Sequence, residues 1–202
     1  SNWISGEKSR NFVQLIRSYY EAIMIGTETA YWDNPRLNLR DQFSDLPQPA
    51  KIIIDKDLKL SKKMNFIGSK GNEKLFFVHD LNLKKDKIES VKFKGIKTIG
   101  VSKIENGNLN LDELCKNLSK LGLTSVLVEG GGKIATSLLE FGLVDKLILF
   151  TAGIILDKNG VDGFQPSIPE IINLNNYNRY ELEKSLTFGN DLAHFWNINN
   201  SR

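Results

Sequence analysis

The sequence predicts an α/β fold with a largely parallel sheet and an antiparallel edge. Three observations carry the prediction. Short apolar runs alternate with helical stretches through the first three quarters of the chain. Several of these runs are apolar throughout, as strands covered on both faces must be. A hairpin pattern closes the sequence, with Phe188, Gly189 and Asn190 between two strand-like stretches.

Residues Glu7 to Tyr20 read as an amphipathic helix, with Phe12, Leu15, Ile16 and Tyr19 at helical spacing and Ser5 as N-cap. Glu21 to Gly26 is a buried strand ending in glycine. Thr27 to Arg40 reads as a polar, turn-rich segment broken at Asp33, Asn34 and Pro35. Lys51–Asp55, Leu75–Val78 and Lys97–Val101 read as further strands. The charged stretch Leu83 to Ser90 reads as a surface excursion. Leu111–Leu121 is a helix, with Cys115 on its apolar face as a structural thiol. Ser125–Glu129 is a strand, Gly130–Gly132 a turn and Lys133–Phe141 a helix. Lys146–Ile155 is a strand, and Arg179–Leu186 with Asp191–Ile198 form the hairpin.

Composition narrows the function classes. The chain has 202 residues, enough to bury a sizeable core without staples. One cysteine allows no intrachain disulfide, which argues against an oxidised secreted scaffold. A net charge of +3, scattered along the chain, argues against nucleic acid as a partner. No apolar run reaches the ~18 residues of a membrane span, and no signal peptide opens the chain, so a cytoplasmic enzyme is expected. His79 and His194 have no partners at metal-ligand spacing, so no metal is expected. The hydrolase GxSxG, the dinucleotide GxGxxG and the P-loop pattern are all absent.

The strongest local signal is the stretch Ser125 to Lys133. A buried strand ends in the carboxylate of Glu129, three glycines follow, and a helix begins. Free N–H groups at a helix N-terminus attract phosphate, and glycine lets it approach the backbone. A tight turn that merely needs positive φ would be satisfied by one glycine, so three favour phosphate contact. The arginines are few against many lysines: Arg10, Arg17, Arg36, Arg40, Arg179 and Arg202. Arg17 and Arg40 suit a planar fork on a phosphate, and equally a surface salt bridge. Trp3 suits a core edge or a cover for a flat ring.

At this point several blocks resemble one family in the right order: Ser1-Asn2-Trp3-Ile4, Leu15-Ile16-Arg17, Ala22 to Thr29, Asp33 to Arg40, Val128 to Gly131, and Gly142 to Asp145. The sequence resembles the reductase domain of the bifunctional riboflavin-biosynthesis deaminase–reductase. The resemblance implies a dihydrofolate-reductase-like fold. It also implies NADPH-dependent reduction of the ribosyl group of 5-amino-6-(5-phosphoribosylamino)uracil to the ribityl form. Carried over by position, Ser1, Arg17, Leu37, Arg40 and Glu129 would contact the phosphorylated aminouracil. Trp3, Thr29, Asp33, Gly131, Gly132, Lys133, Ile134, Ala135, Thr136 and Ser137 would contact NADPH. No side-chain nucleophile or other catalytic residue is assigned, because the chemistry is hydride transfer between positioned partners.

Five positions depart from the family pattern: Asn34, Asn38, Lys56, Gly153 and Asp157. Asn38 stands in place of a threonine. Lys56 stands on the cofactor side, where a serine is common, and is expected to favour NADPH over NADH. The resemblance further implies a homodimer. Because the chain starts at Ser1, within a motif, residues 1–202 are expected to be a single reductase domain cut from a longer chain. Its deaminase domain and first reductase strand would lie upstream, leaving the fragment weakly active. Deaminase signatures are absent from the chain itself. A related reductase acting on a pterin, or a non-catalytic nucleotide-binding module, would share these features.

Overall fold

A computed structural model describes residues 3–60, 63–68, 74–92, 96–156, 160–165 and 180–198. Ser1, Asp157, Arg179 and Arg202 lie outside the described residues. In chain order the elements are α1 (Glu7–Ser18), β1 (Ala22–Gly26), α2 (Thr27–Asp33), a 3-10 turn (Asp41–Phe43), β2 (Ala50–Ile54), β3 (Leu75–Asp80), α3 (Lys85–Lys92), β4 (Lys97–Val101), α4 (Leu111–Lys120), β5 (Val126–Val128), α5 (Gly132–Glu140), β6 (Lys146–Thr151), β7 (Glu181–Phe188) and β8 (Asp191–Asn197).

The α/β class expected from the sequence holds. Strands β1 to β5 form one parallel sheet in the order β4-β3-β2-β1-β5. The antiparallel strands do not edge that sheet. They form a second sheet of their own, β6-β8-β7, because β6 pairs with β8 along its whole length. The hairpin β7–β8 turns at Gly189 and Asn190, with Gly189 at φ 69°.

The apolar strand residues divide between two faces, as alternation requires. On one face Met24, Ile52 and Val78 pack with Leu114 and Leu118 of α4 and Ile134 and Leu138 of α5. On the other, Ile23, Ile25, Ile53 and Phe77 pack with Ala30, Leu37 and Phe66. Each such fully buried aliphatic side chain stabilises the fold by roughly 1.5–3 kcal/mol. Lys51 shares the second face and is fully buried, with its ammonium donating to the carbonyl of Phe66 at 3.2 Å.

Four local expectations need correction. Gly6, not Ser5, caps α1, and it makes no side-chain cap bond. The carboxylate of Asp191 does that work from β8, accepting from Gly6 N and Ser9 Oγ at 2.6 Å each. Tyr19 is 75% exposed, because α1 ends at Ser18 and the chain tightens with Tyr19 N donating to Ile16 O. Thr27–Asp33 is a helix inside a segment read as turns. Its seven residues are too few to show a period, and it stops where Asn34 turns left-handed (φ 41°) before Pro35. Lys85–Lys92 is also helical, but it buries no residue fully and so carries little apolar pattern.

The second sheet meets α1 through rings. Phe12 stacks on Phe188 with centroids 4.5 Å apart and lies near Phe150 and Phe195. Its opposite face leaves Leu149, Leu182 and Leu192 between 40% and 46% exposed.

Candidate functional site

In a parallel sheet all carboxyl ends lie along one edge, and ligands bind where the strand order reverses. Here that point is between β1 and β5, since chain order runs outward from β1 through β2 to β4 on one side and places β5 on the other. A cleft of about 620 Å³ opens there. Gly26, Thr27 and Thr29 form one wall, and Gly131, Ile134 and Ser137 another. Ile54 ends β2 and Lys56 follows it, and Asn108, Leu109 and Leu111 close the far side.

The glycine turn after β5 is built for close approach. Gly130 and Gly131 have φ of 68° and 85°, a region that penalises any Cβ. A Cβ on Gly130 would lie 3.0 Å from Thr29 Cγ2, and one on Gly131 would lie 3.1 Å from Thr29 Oγ1. Gly132 is required for a different reason. Its Cβ would come within 2.8 Å of the carbonyl oxygen of Asp162, on a strap formed by residues 160–165. Gln165 N ties that strap to Thr136 Oγ1 at 2.8 Å. Ala135 N bonds back to Gly131 O at 3.2 Å, so the N–H groups of Gly132 to Ile134 precede the first intrahelical bond.

A charged pair stands beside this turn. Arg17 on α1 reaches Glu129 at the end of β5 with two parallel bonds, Nε to Oε1 and Nη2 to Oε2, both 2.6 Å. Its third nitrogen, Nη1, donates to the carbonyl of Asn38 at 3.3 Å. Arg17 is nearly buried and Glu129 is about one fifth exposed. The fork expected to hold a phosphate is therefore closed on a carboxylate, in a geometry stronger than a single ionic contact.

The loop after α2 runs past this pair. Leu37 is buried with φ 51°, Asn38 is buried, and Arg40 is exposed. Asn34 is put to structural use, its side-chain and backbone oxygens accepting from Asn65 N and Nδ2.

The residues named from the sequence thus divide. Thr29, Lys56, Gly131, Lys133, Ile134 and Ser137 line the cleft. Gly132 and Thr136 lie under the strap, and Ala135 is half-buried on α5. Lys133 pairs with Glu28 at 2.5 Å, linking the two walls. Lys56 Nζ donates to Gly107 O at 3.1 Å across the cleft. Asp33 is exposed at the end of α2 and is not part of the lining. Trp3 is 66% exposed, with the Arg10 guanidinium 4.7 Å from its ring centroid. Thr27, Ile54, Leu109, Phe141 and Gln165 also line the cleft without a sequence signal of their own. Among the described residues no group of three or more potential ligands could hold a metal ion, and no helix is long and apolar enough to cross a membrane.

Fold and cleft together define an α/β protein with a glycine-lined crevice at its switch point. The chain belongs to the RibD C-terminal domain family, whose profile matches residues 1–194. It is 32% identical over 152 residues to the riboflavin biosynthesis protein RibD of Actinobacillus pleuropneumoniae, covering 75% of this chain and 39% of that protein. It is 29% identical to the 5-amino-6-(5-phosphoribosylamino)uracil reductase of Buchnera aphidicola from Acyrthosiphon pisum, covering 77% of each. Acinetobacter baumannii RibD has the same fold, with a TM-score of 0.80 at 20% identity over 99% of this chain and 52% of that one. The chain spans about two fifths of the length of the first RibD relative.

Proposed function

We propose that the chain is the reductase domain of riboflavin biosynthesis, reducing 5-amino-6-(5-phosphoribosylamino)uracil to its ribityl form with NADPH. One observation carries the reading. The left-handed Gly130–Gly131 turn, backed by Thr29 and continued by the start of α5, brings Gly131 into the cleft directly after the Arg17–Glu129 pair. The cleft suits a dinucleotide, being about 620 Å³ in volume, partly apolar at Ile54, Leu109 and Ile134, and lined by Gly131 where a Cβ would intrude. Gly131 and the first turn of α5 would hold the pyrophosphate, and Lys56 the 2′-phosphate. The cofactor supplies the hydride when bound.

The protein's own contribution is position. Arg40, exposed to solvent, would take the substrate phosphate, while Arg17 fixes the position of Glu129. A deaminase domain on the same polypeptide is part of this proposal, as is a cytoplasmic setting. The apolar outer face of the second sheet, with Leu149, Leu182 and Leu192, supports a homodimer. Titration with NADPH tests the reading at its base. Saturable binding that Gly131→Ala abolishes is expected. Absence of saturable binding to the unaltered protein overturns it.

A further inference from the structure

Part of the cleft wall comes from the strap and not from the sheet or the glycine turn. Gln165, at the end of the strap, lines the cleft and is half-buried. Its backbone is fixed, since Gln165 N donates to Thr136 Oγ1 at 2.8 Å and Thr136 is only 8% exposed. Its side chain is fixed at the root as well. Gln165 Cγ lies 3.1 Å from where a Cβ on Gly132 would stand, and the carbonyl oxygens of Asp162 and Gly163 lie 2.8 and 3.1 Å from the same point. Unlike Gly130 and Gly131, Gly132 has no left-handed backbone, so it is the strap that excludes a side chain there. The third glycine of the turn is a seat for the strap. One bond beyond Cγ, the carboxamide of Gln165 is held beside the first residue of α5, and it makes no hydrogen bond among the described residues.

We infer that Gln165 binds the cofactor, its carboxamide N–H donating to a phosphate oxygen of the dinucleotide at the start of α5, and that Thr136 is the residue that positions it. This rests on the reductase reading above. Thr136 belongs to the block Gly131–Ser137 that the family resemblance assigns to NADPH. Gly131, Lys133, Ile134 and Ser137 of that block line the cleft, but Thr136 does not, and its hydroxyl oxygen is taken by Gln165 N. Gln165, 29 residues further along, presents a polar group to the cleft where Thr136 is covered. The chemistry selects the ligand group. A carboxamide carries two N–H donors, and an ionised phosphate oxygen only accepts. The free N–H groups of the first turn of α5 favour the same group.

Gln165→Met keeps the length of the side chain and removes its donors. Gln165→Glu keeps its shape and puts a negative charge in their place. Kd for NADPH is measured by titration for both, for Thr136→Val and Thr136→Ser, and for Thr136→Val combined with Gln165→Met. Gln165→Met is expected to raise Kd about tenfold, the low end for a hydrogen bond to a charged group, and Gln165→Glu to raise it further. Thr136→Val should raise Kd and Thr136→Ser should not, because serine keeps the acceptor for Gln165 N. The combined variant should bind no worse than Gln165→Met alone, since Thr136 acts only through Gln165. An unchanged Kd in Gln165→Met overturns the inference. Binding by Gln165→Glu as tight as by Gln165→Met overturns the contact with phosphate, and additive losses in the combined variant return the contact to Thr136 itself. If the unaltered protein does not bind NADPH, the reductase reading fails and the inference falls with it. Binding that Gln165→Met leaves intact sinks the inference alone.

Discussion

Arg17 and Glu129, 112 residues apart in sequence, meet just before the glycine turn through two parallel bonds of 2.6 Å. The pair joins α1 to the end of β5 and so sets where the glycine turn begins. Removing one partner strands the other charge in a largely dehydrated place. Glu129→Gln is expected to lower stability by about 2–3 kcal/mol, somewhat less than for a fully buried pair because Glu129 retains some exposure. Urea unfolding of the variant beside the unaltered protein measures this. A loss below about 0.5 kcal/mol would place the pair among ordinary surface ion pairs.

The contact between Thr29 and the glycine turn makes a coupled prediction. In Gly130→Ala the new methyl meets Thr29 Cγ2 at 3.0 Å on a backbone with φ 68°. The left-handed backbone alone should cost roughly 1–2 kcal/mol. Thr29→Ser removes Cγ2, so the double variant should recover the steric part of the loss and leave the backbone part. Thermal melts of the two single variants and the double variant give the coupling, and strict additivity would contradict the contact.

The fold class and most strands were legible because an apolar run flanked by glycine or a charge has few other readings. The glycine turn and Glu129 were legible for the same reason, being contiguous in sequence. The pairing of Arg17 with Glu129 was not, since nothing local in either segment specifies a partner so far along the chain. α2 was missed because its seven residues carry too few apolar positions to show a period. The separation of the two sheets was equally hidden, as strand patterns do not encode which sheet a strand joins. The far wall of the cleft at Asn108, Leu109 and Leu111 depends on strand order and follows only from topology.

Asp191 predicts a pH dependence. Bonds from Ser9 Oγ and Gly6 N, aided by the nearby Arg10 charge, hold its carboxyl below the ordinary aspartate range. A depressed folded-state value adds stability that is fully present above the unfolded value of about 3.9 and is lost as pH falls through the folded one. Asp191→Asn should therefore melt lower than the unaltered protein at neutral pH, and the gap should narrow as the pH drops below about 4. A gap that stays constant through the acid range would show that the charge of Asp191 is not what secures α1.

Lys56, which lines the cleft with its ammonium on Gly107 O, is the cation proposed for the 2′-phosphate. Lys56→Ala should weaken NADPH binding by about ten- to a hundredfold, the span of a hydrogen bond to a charged group, and leave NADH unchanged. Isothermal titration with both cofactors decides it. Equal losses for the two would move the 2′-phosphate elsewhere.

The central claim is tested most directly by following NADPH oxidation together with formation of the ribityl product from 5-amino-6-(5-phosphoribosylamino)uracil. One product is predicted per NADPH consumed, with turnover lost when the substrate lacks its phosphate and KM raised in Arg40→Lys. NADPH oxidation that needs no aminouracil, or no oxidation under saturating concentrations of both ligands, would contradict the assignment of this cleft to that reaction.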